Sequence, residues 1–264
     1  MKFIKGFSLV LVVALLASCA QSPTGRRQIL LFSNSEMSQM GGTAFDEMKQ
    51  KMTINRDGKV NRYVTCVADS ITARLSPEWQ GSWEVVVFEE DSANAFALPG
   101  KKIGVHTGIF KMAKNQDQLA TVLGHEVGHV LAQHSAERLS QQSVVGTGSQ
   151  LIGVLLGEGA QKETVMGLLG LGAQYGLLLP YGRAQESEAD VVGLKLMAQA
   201  GFNPKASVQL WENMSAGSQG QPPEFMSTHP SHSTRINDLN KAIPKYDPLY
   251  KQAQAQGLKP NCSM

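Results

Sequence analysis

Three side chains in one short stretch have the types and the spacing that metal-assisted hydrolysis requires. Residues 125–129 read His-Glu-Val-Gly-His, so His125 and His129 are four positions apart and Glu126 lies between them. In a helix, positions four apart lie on the same face, one turn from each other. The two imidazoles can therefore bind one metal ion, and this pattern favours zinc. Glu126 would be the base that takes a proton from the attacking water.

The flanking residues predict that a buried helix carries this motif. Apolar residues recur with helical spacing from 118 to 133, at Leu119, Val122, Leu123, Val127, Val130 and Leu131. Two solvated histidines on a surface helix are the alternative, which the apolar flanks disfavour because buried polar groups need partners. Gly128 inside the motif costs about 1 kcal/mol of helix propensity, so we expect close packing at this point.

A hydrolytic zinc site needs a third protein ligand and an open fourth position. The metzincin pattern, in which a glycine and then a histidine follow the motif, fails because Ala132 and Ser135 hold those positions. His134 is one residue away from the required position. We therefore expect His134 to be a helix histidine that is hydrogen-bonded near the site, with ligation as the less favoured alternative.

A second helix offers the missing ligand. Glu186 and Asp190 are four positions apart and share a helix face. Glu186 can reach the metal, and Asp190 can accept a hydrogen bond from a ligand histidine and thereby fix its tautomer. Glu188 should point elsewhere on the helix. The alternative is a solvated helix start at which acidic residues are favoured by the helix dipole.

These motifs together resemble a known family. The stretches that carry the resemblance are 125–130 (H-E-x-G-H-V), 186–193 (E-x-x-A-D-x-x-G), 24–28, 94–100 and 228–236. The chain resembles the HtpX and type I CAAX prenyl protease family of gluzincin zinc metallopeptidases, in its soluble, exported lipoprotein branch, which includes LoiP and BepA. The resemblance implies an α+β, mostly helical domain with a small sheet beside the H-E-x-x-H helix. It also implies one zinc ion per chain, on His125, His129 and Glu186.

The same resemblance assigns possible roles to two residues near the end of the domain. His229 should lie near the metal, where it either donates to the oxyanion of the reaction or binds the open position and holds the enzyme latent. Arg235 either orients the cleft through a carboxylate pair or simply caps local structure.

The start of the chain predicts export. A short basic segment precedes an apolar run, 7–16, that is too short to span a bilayer, which takes roughly 20 residues. Residues 16–19 resemble a lipobox, so we expect a signal peptide over 1–18, acylation of Cys19 and a tether over 19–24. In a Gram-negative cell, the resemblance to lipoproteins with Ala20 rather than Asp after the cysteine implies the outer membrane, so we expect the protein in the periplasm, at the inner face of that membrane. The alternative is an ordinary signal peptide with an incidental Cys19.

The charge balance of the chain narrows the classes of molecule that it could bind. Removal of Lys2 and Lys5 would leave 22 basic residues (24 − 2) against 22 acidic ones. A chain of balanced charge, with no basic stripe and no aromatic platform, is not typical of nucleic-acid-binding proteins.

Export would place Cys66 and Cys262 in an oxidising compartment. We therefore predict a disulfide between them, with a buried free Cys66 as the alternative.

The remaining pattern predicts the order of the elements. We expect strands at 25–32, 83–88 and 95–105, and helices at 33–52, 60–75, 184–200 and 204–214, in a domain over 25–243 with a tail over 244–264. Residues 94–96 would form an edge strand that pairs with an extended substrate, or a plain structural hairpin. Runs 144–157 and 165–179, rich in Gly, Leu and Val, would be buried helices over the cleft, or else a lid or a surface for lipid or an unfolded client.

These observations predict a zinc-dependent endopeptidase of the bacterial envelope. By resemblance its substrates are unfolded or misassembled envelope proteins, and outer-membrane assembly machinery is a possible partner. The first alternative is a latent or inactive peptidase that acts as a chaperone or assembly factor at the outer membrane. Two others are an integral membrane protease and a zinc carrier or sensor, which would not need Glu126.

Overall fold

The computed structural model of the chain describes residues 19–143, 182–216, 224–229 and 234–264. The predicted signal peptide and the two glycine- and leucine-rich runs lie outside these residues. Within them the fold is mostly helical with small sheets, which confirms the predicted α+β class. No helix among these described segments has both the length and the apolar character that crossing a membrane needs.

The chain starts with a short hairpin that we call the N-terminal hairpin, residues 19–29. Strand β1 (Cys19–Gln21) pairs antiparallel with β2 (Arg27–Ile29), and Ala20 lies opposite Gln28. The turn closes with a hydrogen bond from the Gly25 N–H to the Ser22 carbonyl, 2.8 Å. The stretch predicted as a tether, 19–24, is the first half of this hairpin, and the predicted strand 25–32 is shorter than expected.

Two helices follow, close to their predicted bounds. Helix α1 (Asn34–Lys51) starts at the predicted capping box, in which Ser33 and Glu36 exchange hydrogen bonds. Helix α2 (Gly58–Thr72) is capped by Asp57. Both helices pack on a three-stranded sheet.

The sheet has the strand order β3-β5-β4, built from β3 (Glu84–Phe88), β4 (Ala95–Leu98) and β5 (Lys102–His106). Strand β5 is parallel to β3 and antiparallel to β4. Strand β4 is therefore an edge of this sheet, as predicted for the region of 94–96. The Phe96 side chain packs with Phe45 and Phe88 in a small apolar cluster, so it stabilises the sheet.

The motif lies on the central helix of the main core. A 3-10 turn (Thr107–Lys111) leads into α3 (Gln116–Leu131), which is buried from Gln118 to Val130. Residues 134–143 are again helical. The later elements are α4 (Arg183–Gln199), α5 (Ala206–Ala216), the short α6 (Glu224–Thr228) and α7 (Arg235–Ala255).

The end of the chain is attached to the core. Helix α7 continues through residue 244, where the sequence predicted that a tail begins. A disulfide joins Cys262 to Cys66 of α2 across 196 positions of sequence. The C-terminal residues are thereby held against the helix that packs on α3.

Candidate metal centre

Glycines let the two site helices approach each other until their backbones touch. A Cβ atom at Gly193 of α4 would lie 2.9 Å from the backbone nitrogen of His125 in α3. A Cβ atom at Gly128 of α3 would lie 2.9 Å from the carbonyl oxygen of Ala189 in α4. The close packing expected from the helix-breaking Gly128 is present. It brings the acidic residues of α4 within reach of the histidines of α3.

Four buried side chains converge at this crossing: His125, His129, Glu186 and His229. The Nε2 atom of His125 lies 3.0 Å from Nε2 of His129 and 3.2 Å from Nδ1 of His229. The Glu186 oxygens lie 3.1 Å from His229 Nδ1, 3.4 Å from His129 Nε2 and 3.5 Å from His125 Nε2. The structure thus brings together the three predicted ligands and one further donor.

These separations fit one zinc ion. Tetrahedral zinc with bonds of about 2.0–2.1 Å holds neighbouring ligand atoms about 3.3 Å apart. The observed separations of 3.0–3.5 Å bracket this value. Three imidazole nitrogens that face one another in a buried space cannot all satisfy each other as hydrogen-bond partners, whereas a cation at their centre satisfies all of them.

The outward nitrogen of His125 is held by α4. Its Nδ1 atom lies 3.0 Å from Oδ1 of Asp190, the predicted acceptor. An Nδ1–H that donates to this carboxylate leaves the Nε2 lone pair facing the centre. The predicted neighbour relation between Asp190 and a ligand histidine is therefore present.

Arg235 connects the two carboxylates of α4. It is 2% exposed, and it donates to Oε2 of Glu186 at 2.9 Å and to Oδ1 of Asp190 at 2.6 Å. Its guanidinium group lies 3.8 Å from the ring centre of Trp211. Of the two roles left open for Arg235, the geometry corresponds to the carboxylate pair that orients the cleft.

The outward nitrogen of His129 has a different partner, which is another histidine. Nδ1 of His134 lies 2.8 Å from Nδ1 of His129, and Nε2 of His134 lies 3.1 Å from Oε2 of Glu188. Gln133 adopts a left-handed backbone, φ 53°, and so turns the chain back after α3. His134 is hydrogen-bonded near the site, as expected. Glu188 does not join Glu186 among the four donors of the centre; its carboxylate contacts this histidine instead.

Glu126 lies beside the donor cluster without being part of it. It is 2% exposed, its Oε1 atom forms no hydrogen bond among the described residues, and Nε2 of His229 lies 3.3 Å from this oxygen. The backbone of Ala97 in β4 lies against the same carboxylate. Burial raises the pKa of Glu126, and the charge of His229 opposes this rise. A buried carboxylate oxygen with no donor is suited to accept a proton.

Glu186 has the opposite electrostatic balance. Burial alone would raise its pKa, but hydrogen bonds with His125, His129 and His229 outweigh burial, and the pKa is lowered. This carboxylate is therefore ionised and can offer a charged oxygen to a cation.

His229 reaches the centre from the end of α6. The backbone N–H of Phe225 donates to the Ala93 carbonyl at 3.0 Å, and Asn94 donates to Glu224 at 3.1 Å. These two bonds dock α6 against the start of β4. His229 is consequently the fourth donor of the centre and also the neighbour of Glu126.

A family model fits this chain over most of the stretch that builds the centre. The model described as peptidase family M48 matches residues 55–243. The chain belongs to peptidase family M48. M48 metallopeptidases use zinc, and the four donors fit that ion, so the predicted cofactor and the predicted class of enzyme are confirmed.

Several characterised proteins are similar to this M48 chain. Mitochondrial metalloendopeptidase OMA1 of Schizosaccharomyces pombe is 41% identical over 62% of this chain and 47% of its own length. OMA1 of Saccharomyces cerevisiae is 34% identical over 67% of this chain and 51% of its own length. The beta-barrel assembly-enhancing protease of Yersinia pestis is 26% identical over 79% of this chain and 44% of its own length.

The chain spans about half the length of these relatives. The predicted family of zinc metallopeptidases is confirmed, but the predicted exported lipoprotein branch is not shown, because the similar proteins include mitochondrial OMA1. Sequence reasoning also missed Glu188 and Trp211 as neighbours of the site. The spacing of Glu188 was one indication in the sequence, because it shares a face of α4 with Gln185 and Val192. The structure shows that this face is buried.

Proposed function

We propose that this M48 chain is a zinc-dependent endopeptidase that cleaves unfolded or misassembled proteins of the bacterial cell envelope. The observation that carries the proposal is the position of Glu126, a buried carboxylate with one oxygen lacking a hydrogen bond among the described residues, beside a four-donor group that fits zinc. A site that only stores or senses zinc has no need of such a base.

The protein residues divide the chemistry as follows. His125, His129 and Glu186 would hold the zinc ion, which when bound polarises a peptide carbonyl and makes water more acidic. Glu126 accepts the proton of the attacking water at Oε1 and passes it to the nitrogen of the departing amine. Asp190 and Arg235 keep His125 and Glu186 in place during this transfer.

The edge strand supports an unfolded substrate. Among the described residues, strand β4 has a strand partner on one side only, β5, and Ala97 of β4 contacts Glu126. An extended peptide that adds to such an edge is bound through its backbone, largely independently of its sequence. A folded protein does not offer a free extended segment, whereas an unfolded chain does.

Three observations support the envelope as the setting. Residues 16–19 have a lipobox pattern, Cys66 and Cys262 form a disulfide of the kind found in oxidising compartments, and one group of relatives is named for beta-barrel assembly. We propose a periplasmic protein anchored through an acylated Cys19 at the inner face of the outer membrane, with beta-barrel assembly machinery as a partner. Labelling of the full chain with radioactive palmitate in a Gram-negative host should succeed, and Cys19→Ser should abolish it.

A second candidate function is supported by His229. This side chain supplies a fourth donor, and a hydrolytic zinc site needs one position open. The resting protein would then bind unfolded chains without cleaving them and act as an assembly factor. Suppression of casein aggregation by a Glu126→Gln variant, at the level of the parent, would support this role.

Casein hydrolysis distinguishes the two functions. We expect the zinc-loaded protein starting at Ala20 to cleave casein once His229 is replaced by alanine, and a chelator to stop the cleavage. Folded, disulfide-bonded proteins added in place of casein should remain intact. Zinc binding without hydrolysis in the parent and in His229→Ala would favour the assembly factor.

A further inference from the structure

The N-terminal hairpin is bonded to the back of the metal centre. Arg26 donates from Nε to Glu188 at 2.9 Å and from Nη1 and Nη2 to the two oxygens of Glu137 at 2.5 and 2.6 Å. The hydroxyl groups of Ser22 and Thr24 donate to the other oxygen of Glu188. One arginine and two hydroxyl groups of the hairpin therefore fix the position of both carboxylates.

The same hairpin holds the turn that follows α3. The side-chain amide of Gln28 donates to the Ala132 carbonyl at 2.6 Å and contacts Glu137 at 3.2 Å. Gln185 of α4 also donates to Glu137, at 2.8 Å. The hairpin thus connects α4 to the turn that positions His134.

The hydrogen bonds assign a tautomer to both His129 and His134. If His129 binds a metal through Nε2, its Nδ1 carries a hydrogen and donates to Nδ1 of His134. His134 must then carry its hydrogen on Nε2, which donates to the Glu188 carboxylate. The observed separations of 2.8 and 3.1 Å agree with this single direction of donation.

The hydrogen-bonded groups between the hairpin and His129 are buried, so the loss of any one partner is energetically unfavourable. His134 is fully buried, and Glu137 and Glu188 are 3% and 4% exposed. A buried carboxylate without its cation is strongly unfavourable. Removal of Arg26 should therefore displace Glu188, and His134 should lose the acceptor that fixes its ring.

We propose that Ser22, Thr24 and Arg26 of the N-terminal hairpin are positioning residues of the metal centre, acting on the ligand His129 through Glu188 and His134. The inference rests on the proposed zinc site. It assigns a role to the stretch 24–28, which otherwise lies outside the peptidase chemistry. Neighbours of this kind typically change metal affinity by about 10- to 100-fold.

The test measures zinc affinity of the full chain, by competition with a chromophoric chelator, in Arg26→Ala, Glu188→Gln, His134→Ala and His134→Asn. Arg27→Ala is the matched control, because Arg27 is the adjacent arginine of the same hairpin and is exposed. We expect about tenfold weaker zinc binding for Arg26→Ala, up to about 100-fold for His134→Ala, and the parent's affinity for Arg27→Ala. His134→Asn keeps an acceptor for His129 and should lose less affinity than His134→Ala.

A purely structural role would give a different result. The melting temperature of each metal-free variant and the visible spectrum of its Co²⁺ form are measured beside the affinity. We expect Arg26→Ala to alter the Co²⁺ spectrum, which reports ligand geometry, whereas Arg27→Ala keeps the parent spectrum. Unchanged affinity and spectrum in Arg26→Ala and Glu188→Gln would overturn the inference, even if His134→Ala failed to fold. Weaker zinc binding in Arg26→Ala together with the parent's Co²⁺ spectrum would also overturn the inference. If the parent itself bound no zinc, the proposed function would be contradicted as well.

Discussion

The Nε2 atom of His229 lies 3.3 Å from Oε1 of Glu126, while the other ring nitrogen of His229 is one of the four converging donors. One imidazole therefore fills the fourth position of the centre and also stands in front of the proposed base. A peptide carbonyl needs both places. Of the two roles predicted for His229, this position fits the latent state better than donation to an oxyanion.

Replacement of His229 by alanine should accordingly weaken zinc binding and increase hydrolysis. A centre with three protein ligands in place of four loses affinity, and we expect a decrease of about 10- to 100-fold. Casein hydrolysis at saturating zinc should rise by about tenfold or more, because the fourth position becomes available to substrate. His232→Ala, a histidine of the same stretch that lies outside the described residues, is the control. A decrease of hydrolysis in His229→Ala would indicate that this imidazole assists the reaction.

Gly193 of α4 should be intolerant of any side chain. A methyl group there would overlap the backbone of α3 at His125, and overpacking of this kind costs about 1–3 kcal/mol. Gly193→Ala should therefore lower the free energy of unfolding in urea and weaken zinc binding together.

Gly42 supplies the control for this variant. It lies inside helix α1, and a Cβ atom there would have no neighbour within 4 Å. Gly42→Ala should raise stability by up to about 1 kcal/mol through helix propensity alone. Equal effects of the two substitutions would contradict the backbone contact at the helix crossing.

Arg235 should be important for stability as well as for the site. Its removal leaves the buried carboxylate of Glu186 without its cation, which costs about 3–5 kcal/mol for a broken buried pair. Arg235→Lys should fall between parent and Arg235→Ala, because an ammonium group lacks the planar fork that reaches both Glu186 and Asp190. Urea unfolding of the metal-free protein measures the difference. Arg183→Ala, at an exposed arginine of α4, should stay within about 0.5 kcal/mol of the parent.

Local spacing was sufficient to predict part of this centre. The pairs His125 with His129 and Glu186 with Asp190 follow from the helix period, because each pair needs only one helix to bring its members together. Contacts between distant segments were not predictable in this way. Arg26 meets Glu188 across 162 positions of sequence, and this contact depends on how the hairpin packs on α4. The left-handed backbone of Gln133 was not predictable either, since this conformation is normally indicated by glycine or asparagine.

Stability should depend on pH through Glu188. Burial raises the pKa of this carboxyl, but hydrogen bonds from His134, Ser22, Thr24 and Arg26 outweigh burial and lower it below 4.5. A folded pKa below the unfolded one stabilises the protein above about pH 4.5, and this stabilisation is lost as the pH falls further. The difference in the free energy of unfolding between the metal-free parent and metal-free Glu188→Gln should therefore shrink between about pH 5 and about pH 3.

The exposed Glu212 of α5 provides the comparison. Glu212→Gln is measured over the same pH range as a control for the removal of one surface carboxylate. A difference that stays constant with pH for Glu188→Gln would contradict the ionised, hydrogen-bonded state of the Glu188 carboxylate.

The most direct test of the account is casein hydrolysis measured together with zinc content in His229→Ala and in the double variant Glu126→Gln/His229→Ala. Loss of a general base typically reduces the rate by about 10²- to 10⁴-fold. We expect both proteins to bind one zinc ion per chain, and hydrolysis to be lost in this range only in the double variant. Hydrolysis by the double variant at the rate of His229→Ala, with zinc bound, would contradict the assignment of Glu126 as the base.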